Sequence, residues 1–428
     1  MNNRHKRKTR FGLNSTIVVL GLVSLFTDLS SEMIIPVLPL FLTSVLHVQA
    51  GAIGVIEGLA ESTASVLKLF SGWFSDRIGK RKPLMVFGYG LSNLVKPLFA
   101  VSASWGQVLG IRLADRFGKG LRGAPRDALL ADVTTPADRG RAFGIHRAMD
   151  TLGAAIGPFS AFWILAVFDN NYRAVFWFSA IPGVLAVALL VFLLKERKAG
   201  AHGGSVGEAN VTDLTNGEAE KNEAPQADTR GEKATAARSP QPLPKIGFKQ
   251  LSSKLKGFTL AATVFALGNS SDAFLILRAQ DAGMAAVWIP LAYFAFNITY
   301  TLFSVPAGML SDRIGRRPVI VAGYLIFALI YLGFGLASNA GWIWVLFIVY
   351  GVYYAATEGI QKAYVGDLAE QGGRGLAMGT FNALTGLAAL PASIISGALW
   401  QMYGPMAAFG FSSALAVAAA GLMVFMKV

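Results

Sequence analysis

The 428-residue chain has no cysteine, only four histidines and few charged residues of any kind. Because thiols are absent, disulfides and thiolate metal sites are excluded. The sequence also lacks a nucleotide-binding P-loop and any nucleophile, base and acid at a spacing typical of a catalytic site. We therefore expect no cofactor, no metal site and no enzymatic activity. Charged residues make up 15% of the chain, whereas soluble domains carry about 25%, so a soluble protein is not expected.

Apolar residues dominate instead, at 54% of the chain with a mean hydropathy of +0.50. They form runs of about 20 residues, and each run is long enough to cross a bilayer as a helix. We predict an all-α membrane protein with twelve transmembrane helices. In the first half they span residues 15–45, 51–75, 83–102, 105–131, 141–168 and 172–194, and in the second half 256–282, 284–310, 318–337, 341–368, 376–402 and 404–426.

The basic residues behind the net charge of +13 occur at alternate turns between these helices. They cluster at residues 4–10, 80–82, 139–141, 195–198 and 313–317, while the intervening turns carry almost no charge. Such asymmetry is typical of loops on the cytoplasmic side of a membrane. It predicts cytoplasmic termini and a multi-pass protein of the bacterial inner (plasma) membrane, whose partner is a lipid bilayer and not a nucleic acid. The apolar run after the basic start is too long for a cleavable signal peptide.

Two parts of the chain repeat each other. A turn with a glycine, an Asp-Arg pair and a second glycine occurs twice at the same spacing, as Gly72, Asp76, Arg77 and Gly79 and as Gly308, Asp312, Arg313 and Gly315. Early in each part, Ser30-Ser31-Glu32 recurs as Ser270-Ser271-Asp272. Such repeats indicate two halves that face each other across a central site. The expected organisation is a basic N-terminus (1–14), a six-helix half (15–194), a polar cytoplasmic linker (195–255) and a second six-helix half (256–428).

The duplicated turn resembles the loop signature of the major facilitator superfamily, which lies between helices 2 and 3 and again between helices 8 and 9. In predicted helix 5, Gly153, Gly157 and Pro158 resemble the antiporter signature of that family, although Ala161 and Phe162 stand where it usually has glycines. The two glycines share one face and let another helix approach, and the proline can bend the helix. Plain packing is the alternative interpretation of these three residues.

Two further stretches, residues 25–32 and 268–272, are similar to a branch of the superfamily that includes nickel-resistance exporters. Those proteins often end in a histidine-rich tail, which this chain lacks. The resemblance implies two pseudo-symmetric six-helix halves, alternating access and efflux of the antiporter type. We expect the protein to be a monomer.

The duplicated turn also has a mechanical interpretation. By resemblance, the Asp76 carboxylate lies opposite the N-terminus of helix 11, whose dipole attracts it, and Asp312 lies opposite helix 5 in the same way. Contacts of this kind would hold the cytoplasmic side closed and break when it opens, with Arg77 pairing to an acid such as Asp132. The predicted gate comprises Gly72, Asp76, Arg77, Gly79, Asp132, Gly308, Asp312, Arg313 and Gly315. In the alternative, the basic turns only set the orientation of the helices.

Ionisable side chains inside the predicted helices are functional candidates, because an unpaired charge at mid-bilayer is costly. Helix 4 carries several at helical spacing, so they form one stripe that cannot face lipid. Proton coupling is predicted for Asp28, Glu32, Glu61, Arg112 and Asp115, with Glu32 and Glu61 paired to Arg112 and Arg116. The predicted substrate cavity adds Glu57, Arg116, Lys119, Asp272, Asn297, Tyr300 and Glu358. In the alternative, any one of these charges belongs to a structural network of buried ion pairs.

Together these features predict a secondary active transporter that exports a small molecule in exchange for protons. Aromatic residues of the second half suit an amphipathic, drug-like substrate through stacking and cation–π contact, and a metal ion is the other expected substrate. Because helix 4 has more bases than acids, a porter for organic anions or metal chelates, including uptake, is an alternative. A membrane sensor without transport on the same fold is a further alternative, which the duplicated gate disfavours.

Overall fold

The computed structural model describes residues 15–78, 81–134, 138–194, 247–248, 251–369 and 374–425, without the side chains of residues 73, 76, 78, 139, 374 and 375. The predicted basic N-terminus, most of the predicted linker and the gate residue Gly79 lie outside these ranges. Within them all regular structure is helical, which confirms the all-α prediction.

Twelve helical segments, α1 to α12, follow one another in the described ranges. Those of the first half are α1 (Ser15–Ile34 and Leu38–Ser44), α2 (Ala50–Ile78), α3 (Lys82–Val95, continued as a 3-10 helix over Lys96–Val101), α4 (Trp105–Asp132), α5 (Arg139–Val167) and α6 (Tyr172–Phe178 and Ala180–Ala188, with a π-helical end at Leu189–Leu193). Those of the second half are α7 (Ser253–Gly268 and Ala273–Asp281), α8 (Ile289–Ile314), α9 (Arg316–Leu336), α10 (Ala340–Leu368), α11 (Arg374–Tyr403) and α12 (Pro405–Phe425).

Eleven of these segments are long and apolar enough to cross a membrane by composition alone, and α4 is the exception. Its charges do not face lipid, because α4 packs against α2 and α3. Four of its charged residues are buried in that contact: Arg112, Asp115, Arg116 and Arg122. One face of this segment is therefore a polar interior surface that α2 and α3 cover.

Three interruptions of the helices position residues of interest. The first helix of each half is broken, α1 after Ile34 and α7 after Gly268. Glu32 lies just before the first break and Asp272 at the second, so the two repeated acids occupy corresponding places. Between α8 and α9, Gly315 has a φ of 93°, a backbone conformation that residues with a Cβ rarely adopt. The sharp turn of the second gate sequence thus depends on this glycine.

The two halves meet along α2 with α11 and along α5 with α8. We name the end of the bundle at which α6 ends and α7 begins the linker end, and the other the opposite end. At the opposite end the halves are joined, because Gln280 of α7 hydrogen-bonds to Thr43 (3.1 Å) and Ser44 (2.9 Å) of α1. Side-chain hydrogen bonds thus join the two halves at the opposite end.

Gly153 is required by the packing of α5 on α1. A Cβ atom there would collide with the backbone of Leu25, and a Cβ at Gly157 would lie 2.9 Å from the carbonyl oxygen of Leu29. Backbone atoms cannot rotate away as a side chain can, so overpacking is expected to cost about 1–3 kcal/mol.

Gly153→Ala should therefore lower the thermal unfolding midpoint of the purified protein in detergent. Gly110→Ala is the matched control, because a Cβ at Gly110 would meet open space and alanine is the better helix former. An equal midpoint for Gly153→Ala and the unsubstituted protein would contradict the close approach of α5 to α1.

Candidate functional site

Ion pairs between α2 and α4 form the polar centre of the first half. Glu57 accepts two hydrogen bonds from Arg112, at 3.1 and 2.9 Å, and Glu61 pairs with Arg116 at 2.9 Å. The two helices run in the same direction, so a four-residue step on α2 matches a four-residue step on α4. The predicted pairing of Glu61 is therefore present, whereas Arg112 pairs with Glu57 and not with the expected Glu32.

A second set of buried polar contacts joins α4 to α3 and α3 to α1. Asp115 accepts a hydrogen bond from Ser92 of α3 at 2.6 Å and lies 3.8 Å from the Arg112 guanidinium. The Lys96 ammonium, 1% exposed, donates to the side chains of Asn93 (3.0 Å) and Ser30 (3.3 Å) and to a backbone carbonyl of α1. Every ammonium proton thus has an acceptor, and this cluster fits the structural alternative that the sequence left open.

Two opposite charges stand apart from this network. Glu32 of α1 and Lys119 of α4 have no hydrogen bond or ion pair among the described residues, although they interact electrostatically. Lys119 is exposed and Glu32 partly exposed. A charged side chain in the middle of a membrane helix is not expected to face lipid. Glu32 also interacts electrostatically with Asp272, so it lies towards the second half.

In the second half, the acid that corresponds to Glu32 is Asp272, and its carboxylate is hydrogen-bonded. Asp272 accepts hydrogen bonds from the hydroxyls of Tyr293 at 3.0 Å and Tyr350 at 2.8 Å. Both tyrosines are buried and pack around Phe296, with ring centroids 5.1 Å from it. Much of the aromatic surface expected to meet a substrate therefore forms the interior of this half and fixes the Asp272 carboxylate.

Tyr300 and Glu358 lie on the side of the second half that faces α5, where both contact Arg147. The Tyr300 hydroxyl donates to Glu358 at 2.7 Å, and Glu358 also pairs with Lys362 at 3.1 Å. Asn297 donates to the backbone oxygen of Ala154 in α5 at 3.4 Å, so this predicted cavity residue joins the two halves.

Arg147 is a residue that the sequence reasoning missed. It reaches Asp150 at 3.2 Å, the Tyr300 hydroxyl at 3.1 Å and Glu358 at 3.9 Å, and so connects α5 with α8 and α10. In the sequence it lies just after the basic cluster at residues 139–141, so it is easily taken for another of the basic residues that orient the helices in the membrane. Its spacing of three residues from Asp150 was the available clue.

The predicted gate residues lie at the linker end. The ion pairs seen there among the described residues lie within one half: Asp132 pairs with Arg81 at 2.5 Å, and Arg316 contacts both Asp312, at 3.5 Å, and Asp367. Arg77 and Arg313 are exposed near the ends of α2 and α8.

The first glycine of each gate sequence lies against a different part of the bundle. A Cβ at Gly72 would be in van der Waals contact with Ala124 of α4, at 3.4 Å. Gly308 lines a cleft of about 200 Å³ between α8 and α10. Pro158 lies inside α5, which continues through it from Arg139 to Val167.

Comparison with known proteins gives a consistent result. The sequence model described as Major Facilitator Superfamily matches residues 20–289 and 257–428. An uncharacterized MFS-type transporter of Methanocaldococcus jannaschii is 34% identical over 99% of this chain and 97% of its own length. The class C tetracycline resistance protein of Escherichia coli is 26% identical over 90% of each chain. Among solved structures, a nucleoside transporter, NupG, superposes with a TM-score of 0.75 at 15% identity, over 96% of this chain and 100% of that one.

Proposed function

The chain belongs to the major facilitator superfamily, a family of membrane transporters, and from that membership we propose that it exports a small amphipathic molecule in exchange for protons. Substrate and proton would bind in turn between the halves, which open alternately to the two sides of the membrane. We place the protein in a bacterial inner membrane as a monomer, with the linker end and both termini in the cytoplasm, because the basic turns cluster at that end.

One observation supports the proton-exchange proposal, namely that the Glu32 carboxylate has no hydrogen bond or ion pair to any described residue. A buried or half-buried carboxylate is stable only when it is paired, hydrated or protonated. Glu57, Glu61 and Asp115 already have cationic or hydrogen-bonding partners. Glu32 is thus free to exchange a proton for a cationic group of a substrate, and Asp272 is the corresponding acid of the other half.

Export is supported by two similarities. A relative that covers nine-tenths of this chain is named for resistance to tetracycline, and helix α5 carries the glycines and proline that resemble an antiporter signature. The predicted gate fits the same cycle. The ion pairs described for Asp132 and Asp312 lie within their own halves, and we propose that contacts to the other half form at another stage of the transport cycle.

Transport of organic anions is a second candidate, favoured by Lys119. This ammonium is exposed in the middle of α4 without a partner among the described residues, and the neighbouring Arg116 has a buried Nε atom that makes no hydrogen bond. An anionic substrate would find two cationic donors one helical turn apart there.

Purified protein in liposomes that contain a pH-sensitive dye should distinguish these candidates. We expect a gradient of an organic cation across the liposome membrane to drive protons in the opposite direction. A protonophore should abolish the resulting change in dye fluorescence. A panel of organic cations, organic anions and divalent metal ions should be compared with protein-free liposomes. Proton movement that is seen only with organic anions would favour the second candidate, transport of organic anions. A substrate flux that is the same with and without a pH gradient would contradict proton exchange.

A further inference from the structure

At the opposite end of the bundle, one glutamine of the second half is held between two hydroxyl side chains of the first half. The side-chain oxygen of Gln280 accepts a hydrogen bond from the Thr43 hydroxyl at 3.1 Å, and its amide nitrogen donates to the Ser44 hydroxyl at 2.9 Å. Both polar atoms of the amide are therefore engaged across the boundary between the halves. Ser44 is exposed and the other two are partly exposed, so water can replace these hydrogen bonds when the halves separate.

The sequence repeat does not produce a second copy of this contact. The repeated serines Ser30 and Ser270 place Leu40 at the same distance along the first half as Gln280 along the second. Leu40 is fully buried and has no polar side-chain atom. The contact is therefore a feature of the assembled bundle and not a consequence of the duplicated sequence.

Two further contacts join the halves at the same end, and both are uncharged. Gln401, near the end of α11, donates to Gln49, just before α2, at 2.5 Å. The rings of Phe162 in α5 and Trp288, in the turn before α8, have centroids 5.4 Å apart. A state that opens to this side of the membrane has to lose such contacts.

An arginine fixes Gln280 to the second half. Arg278, two residues earlier in α7, donates to the carbonyl oxygens of Phe334 at 2.8 Å and Ala337 at 2.5 Å, at the end of α9. The last carbonyls of a helix have no partner within that helix, so a basic side chain can bind them. The segment that carries Gln280 is thereby attached to α9.

Another arginine fixes the first-half side of the contact. Thr43 and Ser44 end the second piece of α1, whose Phe41 ring packs edge-on against Phe176 of α6, with centroids 5.2 Å apart. Arg173 of α6 lies over the same ring, 5.3 Å from its centroid, and donates to a carbonyl oxygen just after α3 at 3.2 Å. The Gln280 contact thus joins two packed halves and not only the ends of α1 and α7.

We propose that Gln280 is a latch that holds the opposite end of the bundle closed, and that its release lets the two halves separate there without bending of α1 or α7. The inference rests on the proposed alternating access and names a contact that one of its states must lose. The latch residues Thr43, Ser44 and Gln280 are uncharged, so a proton does not release them directly. They set how readily the halves part at this end.

The absence of native cysteine permits a direct test by spin labelling. Gly106→Cys at the start of α4 and Ser338→Cys in the turn between α9 and α10 place one label on each half, at exposed positions of the opposite end. Neither label lies on α1 or α7, so their distance reports separation of the halves. Because two hydrogen bonds are lost, Gln280→Ala should raise the ratio of long to short distances on the order of tenfold.

Two further variants show whether the effect belongs to the latch. Gln361→Ala is the matched control, because it makes the same change in α10 at a side chain without a hydrogen bond to the first half among the described residues. It should keep the distances of the protein with native Gln280. Thr43→Val with Ser44→Ala removes the latch from the other side and should give a shift of similar size. Adding Gln280→Ala to this pair should give no further shift, whereas a full sum of the two shifts would overturn the latch.

Proton-driven flux, measured in parallel, separates this inference from the proposed function. Unchanged label distances in Gln280→Ala overturn the latch, whether or not flux is proton-driven. A shift in both latch variants and not in the control supports it, even if the liposome experiments contradict proton-coupled export. Because no latch residue titrates near neutral pH, the change in the ratio should be the same at low and high pH. A shift confined to one pH would show that titrating groups hold this end closed, and not Gln280.

Discussion

Glu32→Gln is expected to reduce pH-driven substrate accumulation in liposomes to the level of protein-free liposomes. The amide keeps the shape of the side chain but cannot bind and release a proton, so the step that links the gradient to substrate movement is lost. Exchange of external for internal substrate requires no net proton movement and should continue. The two assays on one preparation therefore distinguish loss of coupling from loss of folding.

Asp169→Asn is the matched control for this substitution. It also converts an acid to its amide, but in an exposed turn at the opposite end with a φ of 47°, which asparagine tolerates. Accumulation should be unchanged in this control. If Glu32→Gln and Glu61→Gln both retain normal proton-driven accumulation, the proton site lies elsewhere, with Asp115, Asp150 and Glu358 as the next candidates.

Arg112→Ala is expected to destabilise the protein severely. Arg112 and Glu57 are each 5% exposed and share two hydrogen bonds, so removal of the guanidinium leaves a buried carboxylate without its partner. Breaking one side of a buried ion pair costs about 3–5 kcal/mol. The expected measurement is a marked fall in the thermal unfolding midpoint and in the yield of monodisperse protein in detergent.

The double variant Arg112→Met with Glu57→Leu distinguishes a structural role from a role in coupling. Replacing both partners with apolar residues removes the uncompensated charge, so stability should recover most of the loss. Normal proton-driven transport by the recovered protein would assign Arg112 to structure. A recovered fold with no proton coupling would keep Arg112 among the predicted coupling residues. Equal stability of Arg112→Ala and the unsubstituted protein would contradict the burial of this pair.

The helical class, the spans and the duplicated halves could be predicted from the sequence because they depend on local properties. The length of an apolar run, the charge of a turn and the spacing of a repeat are all readable along one chain. α4 shows where composition alone is insufficient. Its apolar run over residues 105–131 predicts a span, but its charges exclude it from the apolar spans of the structure. The spacing of those charges on one stripe indicates that neighbouring helices cover them.

The pairing of the charges could not be obtained in the same way. Helical spacing places Glu57 and Glu61 on one face of α2, but the register of α2 against α4 decides which base each of them meets. That register results from side-chain packing and from close approaches such as α5 on α1 at Gly153. The predicted pair of Glu61 with Arg116 and the missed pair of Glu57 with Arg112 follow from the same register.

By itself, the sequence determined that the chain is an all-helical membrane protein of two repeated halves and that it belongs to the major facilitator superfamily. The tertiary structure decided which of its intramembrane charges are satisfied and which remain available. Within the part of the chain that the structure describes, Glu32 and Lys119 are left without partners, and Arg147 bridges the two halves. The physical reason is that hydrogen bonds and ion pairs act over a few ångströms between residues far apart in the chain, so they depend on helix packing that no single segment encodes.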